Sequence, residues 1–213
     1  MKLSVNEGAM ETKTWLAWWC IALWAAAAVT SGPIGVWLAV GGVSILLGAS
    51  LVFLDRANVT RLLRPNLSLV LIGLVLGGLM SAATFLLYPI LTRLLPFIAE
   101  DTALLYSVFR GPSPTLALFT LLLVILCEEL IWRGAVQSVF SRRVGLVVGV
   151  LLSALAYALA LAPLGSLVLL FVAFACGLVW SALRAMTQSL VPPLVAHLLW
   201  DFLVLIWMPL DSK

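Results

Sequence analysis

LSLVLIGLVLGGLMSAATFLLYPIL, residues 67–91, runs for twenty-five residues without a charged side chain. A helix rises about 1.5 Å per residue, so about 20 apolar residues cross the hydrocarbon core of a bilayer. The stretch reads as a transmembrane helix. It does not alternate polar with apolar residues, as a strand of an outer-membrane barrel would. Working outward, six further apolar stretches of similar character appear, and the expected spans are Trp15–Val29, Ile34–Leu54, Leu67–Leu91, Thr115–Trp132, Val144–Ala162, Leu164–Leu183 and Leu190–Met208. Hydrophobic residues make up 64% of the 213-residue chain and charged residues 10%. A soluble domain is about one quarter charged, so the composition agrees with the spans.

The fold class this predicts is all-α, a polytopic transmembrane helical bundle, because a helix satisfies its backbone polar groups within itself, as lipid requires. Seven spans are expected. The segment between Thr92 and Pro114, which mixes Arg93, Glu100, Asp101 and Arg110 with apolar residues, reads as an interfacial helix that would make an eighth element. The expected organisation is a cytoplasmic N-terminal tail at 1–14 and one transmembrane domain at 15–213. Gly73 with Gly77, and Gly145 with Gly149, have the spacing that lets membrane helices approach closely.

Loop charges give an orientation. In a seven-span chain Lys2, Lys13, Arg56, Arg61, Arg64, Arg133, Arg142, Arg143 and Arg184 fall on one side, and Arg93, Arg110 and Lys213 on the other. Basic loops stay in the cytoplasm, so the N-terminus is expected inside and the C-terminus outside. The net charge of +3 reflects that rule and does not point to nucleic acid. Lys2 and Lys13 ahead of an apolar stretch that ends in Ala25–Thr30 have some character of a signal peptide. An uncleaved first helix is expected, because a second apolar stretch comes at once after it. Cys20, Cys127 and Cys176 lie far apart inside apolar stretches, without C-x-x-C spacing, and read as small buried hydrophobes.

Four ionisable residues stand out within the apolar spans: Glu128, Glu129, Asp201 and the sole histidine, His197. Such a side chain at mid-membrane costs on the order of 2.5–3.5 kcal/mol, so these groups are expected to face the bundle interior and are functional candidates. Glu129 and Arg133 are four apart with the acid first, the favoured orientation for a helical ion pair. Glu128 points about 100° away, and position 132 offers it Trp132 instead of a cation. His197 and Asp201, also four apart, share one face of the last span, just after Pro192 and Pro193, which suit a helix start. A bundle could present Glu128 from one helix to His197 and Asp201 from another.

These residues resemble a family. Glu128–Glu129–Leu130–Ile131–Trp132–Arg133–Gly134 matches the E-E-x-x-x-R-G motif of the CPBP intramembrane proteases, the group of CAAX prenyl endopeptidases and bacteriocin-processing (Abi) proteins. Arg184, Thr187, Ser189, Leu190, Pro193, Ala196, His197 and Asp201 are similar to its closing pattern, L-x-x-P-x-x-x-H-x-x-x-N/D. The likeness covers about residues 115–207. It implies that Glu128 activates water for attack on a peptide carbonyl, and that His197 and Asp201 stabilise the oxyanion, Asp201 standing where Asn is commoner. Glu129 and Arg133 would support them. The middle motif, F-x-x-x-H, is matched here by Tyr157–Ala158–Leu159–Ala160–Leu161, so Leu161 stands at the histidine position.

No cofactor is expected, and a zinc site is disfavoured, since catalytic zinc usually takes three protein ligands and Leu161 removes the natural second histidine. Two readings stand. One is a glutamic-type intramembrane endopeptidase of a bacterial inner membrane, acting on a membrane-embedded or lipidated peptide. The other is a non-catalytic scaffold or immunity protein of the same fold, which Leu161 favours. A proton-carrying transporter is a more distant third, since no inverted repeat is visible.

Overall fold

The computed structural model of the protein describes residues 14–109 and 114–212. Lys2, Lys13, Arg110, Lys213 and the expected tail up to residue 13 lie outside the described residues. Among the described residues the chain is helical throughout, without strands: α1 (Thr14–Ile34), α2 (Gly42–Leu54), α3 (Arg56–Leu62), α4 (Leu67–Leu94), α5 (Phe97–Phe109), α6 (Pro114–Glu129), α7 (Gln137–Val144), α8 (Leu146–Leu161), α9 (Leu167–Thr187) and α10 (Val191–Asp201). Three π-helical segments, Trp37–Gly41, Leu130–Val136 and Phe202–Trp207, interrupt or extend these helices.

Five runs are long and apolar enough to cross a membrane by length and composition: Thr14–Ile34, Trp37–Leu54, Leu67–Leu94, Leu146–Leu164 and Leu167–Thr187. The other two expected spans take a different form. Val191–Trp207 is a shorter apolar helix. The fourth runs from α6 through the π segment into α7. The mixed segment before Pro114 does contain a helix, α5, as its apolar and acidic residues suggest.

Small residues and caps set the packing. α4 lies against α10, and a Cβ at Gly73 would stand 2.8 Å from the Pro192 carbonyl oxygen, while one at Gly77 would stand 2.9 Å from that of Ala196. Glycine is needed at both for the helices to approach. The rest of α4 presents Leu, Ile and Val outward; only 17% of its apolar window is buried, which puts α4 at the rim of the bundle. The second glycine pair does not behave as one packing unit. Gly149 packs on the backbone of Ser141, but Gly145 has φ +86° and open space beside it, so it makes the turn between α7 and α8.

Contacts between the connecting segments define two ends of the bundle. At one end α3 meets the α9–α10 junction: the Leu190 N–H donates to the Leu62 carbonyl at 2.9 Å and the Ser189 hydroxyl to the same oxygen at 3.1 Å. At the other end α5 meets the start of α9. The Asp101 carboxylate accepts from the Ser166 hydroxyl at 3.0 Å and from the Val168 N–H at 2.7 Å, serving α9's unpaired N-terminal donors. At that same end the Tyr106 hydroxyl donates to the Val204 carbonyl and accepts from the Leu210 N–H.

Two arginines counted above as loop charges are not in loops. Arg133 is fully buried and ion-paired, and Arg184 is buried at the end of α9. Both lie within a helical turn or so of a span's end in the sequence, where a boundary error of a few residues moves a side chain from loop to interior.

Candidate active site

The site forms where α6 gives way to its π segment. Glu128 and Glu129 are the last two residues of α6, and the wider π turn begins at Leu130. A π turn pairs each N–H with the carbonyl five residues back. The Gln137 N–H accordingly reaches the Trp132 carbonyl, and that oxygen also accepts from the Ser153 hydroxyl of α8 at 3.0 Å. Trp132 packs edge-on to Trp24 of α1, whose indole N–H donates to Ser44 of α2 at 2.8 Å. On α2 a Cβ at Gly48 would strike the Cys127 sulfur at 2.6 Å, so α2 lies directly on the helix that carries the two glutamates.

Glu129 joins the elements. Its Oε1 lies 3.2 Å from Arg133 Nη1 and accepts from His197 Nδ1 at 2.9 Å, with all three side chains buried. The expected i,i+4 pair is present, and it extends across 68 residues to the histidine, a link that local spacing could not supply. The Arg133 guanidinium lies over the Tyr157 ring at 4.7 Å and near the Trp180 ring at 5.0 Å, and the electron-rich faces favour the cation. Gly177 leaves room for it: a Cβ there would stand 3.3 Å from Nη2 of Arg133 and 3.2 Å from the Tyr157 ring. Trp180 stacks on His197 with centroids 3.7 Å apart and planes 20° apart. The histidine is thereby fixed by a stacked ring and by the Glu129 carboxylate. Its other nitrogen, Nε2, faces Asp201 Oδ2 at 3.7 Å, an ion-pair distance but too long for a hydrogen bond.

Glu128 points elsewhere, as the 100° offset predicts. One of its oxygens, Oε2, accepts from the Tyr157 hydroxyl at 3.2 Å. Glu128, Tyr157, His197 and Asp201 all line one cavity of about 160 Å³. Leu161 lines it too, so the position where the family pattern has histidine does face this space. Most of the remaining wall is apolar, from residues such as Val40, Val124, Val172 and Leu205. An apolar wall with a few convergent polar groups is the usual make-up of a ligand or active site.

The structure thus brings Glu128, His197 and Asp201 together and pairs Glu129 with Arg133. Trp180 was missed by the sequence reading. It had a signal: Gly177, Trp180, Ser181 and Arg184 recur at helical spacing on α9, and all are buried. The π segments had none. Cys20, Cys127 and Cys176 are free and buried, and Cys176 lies in the cavity wall. Among the described residues no group of three or more His, Cys, Asp and Glu side chains is arranged to hold a metal ion.

Fold and site together define a multi-pass helical membrane protein with a polar centre sunk inside its bundle. Residues 110–203, a little under half of the chain, match the family model described as "Rce1-like: Type II CAAX prenyl endopeptidase Rce1-like". That model is one of the CPBP family, a protease family, and the matched segment is similar to it, as its motifs suggest. No curated protein and no solved structure matches the chain.

Removing Arg133 would leave Glu129 buried with His197 as its one remaining ionic partner. Breaking one side of a buried pair costs about 3–5 kcal/mol. Arg133→Met is therefore expected to destabilise the protein by about that much, and Glu129→Gln in the same chain to recover part of the loss. Denaturant unfolding in detergent micelles measures both; a neutral Arg133→Met would contradict the arrangement.

Proposed function

We propose that the protein is an intramembrane endopeptidase of the glutamic type. The reading rests on one observation: Glu128, His197, Asp201 and Tyr157 converge on a single, largely apolar cavity within the bundle. In this reading Glu128 takes a proton from a water molecule as the water oxygen adds to the scissile carbonyl carbon. The carbonyl becomes a tetrahedral oxyanion. His197, held from behind by Glu129 and stacked on Trp180, acts as the doubly protonated imidazolium: its Nδ1–H donates to Glu129 and its Nε2–H is placed to donate to that oxygen. Glu128 then passes its proton to the departing nitrogen as the C–N bond breaks, giving a carboxylic acid and an amine. Glu129 and Arg133 position His197 and do not touch substrate. Asp201, beside Nε2, holds the ring's outer nitrogen toward the cavity.

The substrate proposed is a membrane-anchored peptide, and the family description points to one with a prenylated cysteine near its C-terminus. An apolar wall suits a lipophilic chain in the cavity. The bilayer is the remaining partner, and nucleic acid is not one.

We also propose seven crossings, forming one domain that begins near residue 15 and has its family-like core at 115–207. The N-terminus would be cytoplasmic and the C-terminus outside, in the inner membrane of a bacterium. The end contacts support this count: segments after the second and sixth crossings meet at Leu62 and Leu190, and segments after the third, fifth and seventh meet around Asp101 and Tyr106. Exposed Arg56, Arg61, Arg64, Arg142 and Arg143 belong to the first end and exposed Arg93 to the second, the asymmetry of a cytoplasmic and an outer face. A reporter inserted between residues 55 and 66 should be cytoplasmic and one fused after Lys213 external; two reporters on the same side would overturn the seven-crossing path.

Activity is tested with purified protein in liposomes and a quenched fluorescent peptide ending in farnesyl-cysteine and three further residues. Glu128→Gln is expected to lower kcat by at least about 10²-fold, the scale of lost general-base catalysis. A Glu128→Gln variant as fast as wild type sinks the glutamic mechanism. A folded wild type that cleaves no prenylated or membrane-anchored peptide returns the chain to a scaffold role.

A further inference from the structure

We propose that Tyr157 is the residue that positions Glu128 in this chain, where Leu161 stands at the motif's histidine position. This rests on the reading of Glu128 as the water-activating group. Leu161 offers no donor, yet both it and Tyr157 line the cavity on α8. They are four residues apart, so they share a helix face about 6 Å apart along the axis. Helical side chains lean toward the N-terminus, so position 161 leans back toward the turn that carries Tyr157, and there the phenol hydroxyl donates to Glu128 Oε2 at 3.2 Å.

The ring is held for this task. Trp132 packs edge-on at 5.4 Å, Trp24 lies at 6.3 Å and Trp180 at 6.5 Å, and the Arg133 guanidinium covers one face. A buried phenol clamped in this way needs a fixed partner for its hydroxyl, and that partner is Glu128. With Oε2 so engaged, Oε1 is left for water. The O–H bond of Tyr157 stays intact throughout: the proton removed from water goes to Glu128, and the phenol donates without transferring its own. Tyr157 is a positioning residue in this scheme.

The test has two arms. Infrared difference spectra of the protein in liposomes first identify the Glu128 carboxyl bands by their loss in Glu128→Gln. Tyr157→Phe, which keeps the ring and removes only the hydroxyl, should shift those bands. 3-Fluorotyrosine at 157, which keeps the fold and strengthens the donor, should shift them in the opposite sense. This arm needs no substrate. In the second arm the farnesylated peptide is used. Loss of a hydrogen bond to a charged group corresponds to about 10–100-fold in rate, so Tyr157→Phe should lose about that in kcat with KM changed by less than about two-fold. Tyr157→Phe combined with Leu161→His should regain at least about ten-fold of the loss, a rescue that a structural tyrosine would not permit. Glu128 bands unmoved by either change overturn the assignment. So does a Tyr157→Phe enzyme with wild-type kcat while Glu128→Gln is inactive. Wild-type turnover in Glu128→Gln instead overturns the role of Glu128 itself.

Discussion

A carboxylate buried in an apolar bundle must be offset by partners, and Glu129 has two, on different helices. Arg133 approaches from one turn further along its own chain and His197 from α10. Either contact alone would leave a costly charge in a medium that solvates it poorly. Together they fix the rotation of the α6 helix, the depth of α10 and the plane of the imidazole in one step. The aromatic groups extend that constraint. Tyr157 and Trp180 bring α8 and α9 against the guanidinium, and Trp180 also stacks on His197. Four segments of chain thus meet on one arginine–glutamate–histidine line.

The π segments give this centre its outlet. Glu129 and Asp201 each stand immediately before a π turn, and Trp37 and Val40 of the third lie in the cavity wall. An i→i+5 turn inserts an extra residue and rotates the helix beyond it. That rotation acts on the residues after Glu129, whereas Glu128 and Glu129 diverge by the ordinary 100° of the α-helix that carries them, one toward the cavity and the other toward Arg133 and His197. The carbonyl at Trp132 finds a donor in Ser153. In a membrane, backbone irregularity is tolerated where the interior re-satisfies it, and here it borders the polar centre.

What could be read from the sequence was what depends on near neighbours. The charge-free run at 67–91, the pairing of Glu129 with Arg133 and the shared face of His197 and Asp201 all come from helical spacing. The contact of Glu129 with His197 spans 68 residues, and no local pattern encodes it. Arg184 was misread as a loop charge, and Arg133 was counted as one although its pairing with Glu129 was also legible, because each lies near a span's end, where burial depends on tertiary packing. Gly145 matched a packing motif by spacing, but its positive φ shows a turn. The departure at Leu161 and the nearness of Tyr157 to it were plain in the sequence, whereas the contact of the Tyr157 hydroxyl with Glu128 required knowing which way the phenol points.

The central claim is that Glu129 couples the two halves of the site through His197, and a double-mutant cycle measures this directly. Unfolding free energies of wild type, Glu129→Gln, His197→Ala and the double variant would be compared in the same detergent. A hydrogen bond to a charged group between buried partners predicts a coupling energy of about 1.5–3 kcal/mol. Additive effects, with coupling below about 0.5 kcal/mol, would mean that the two residues act independently and would contradict the account.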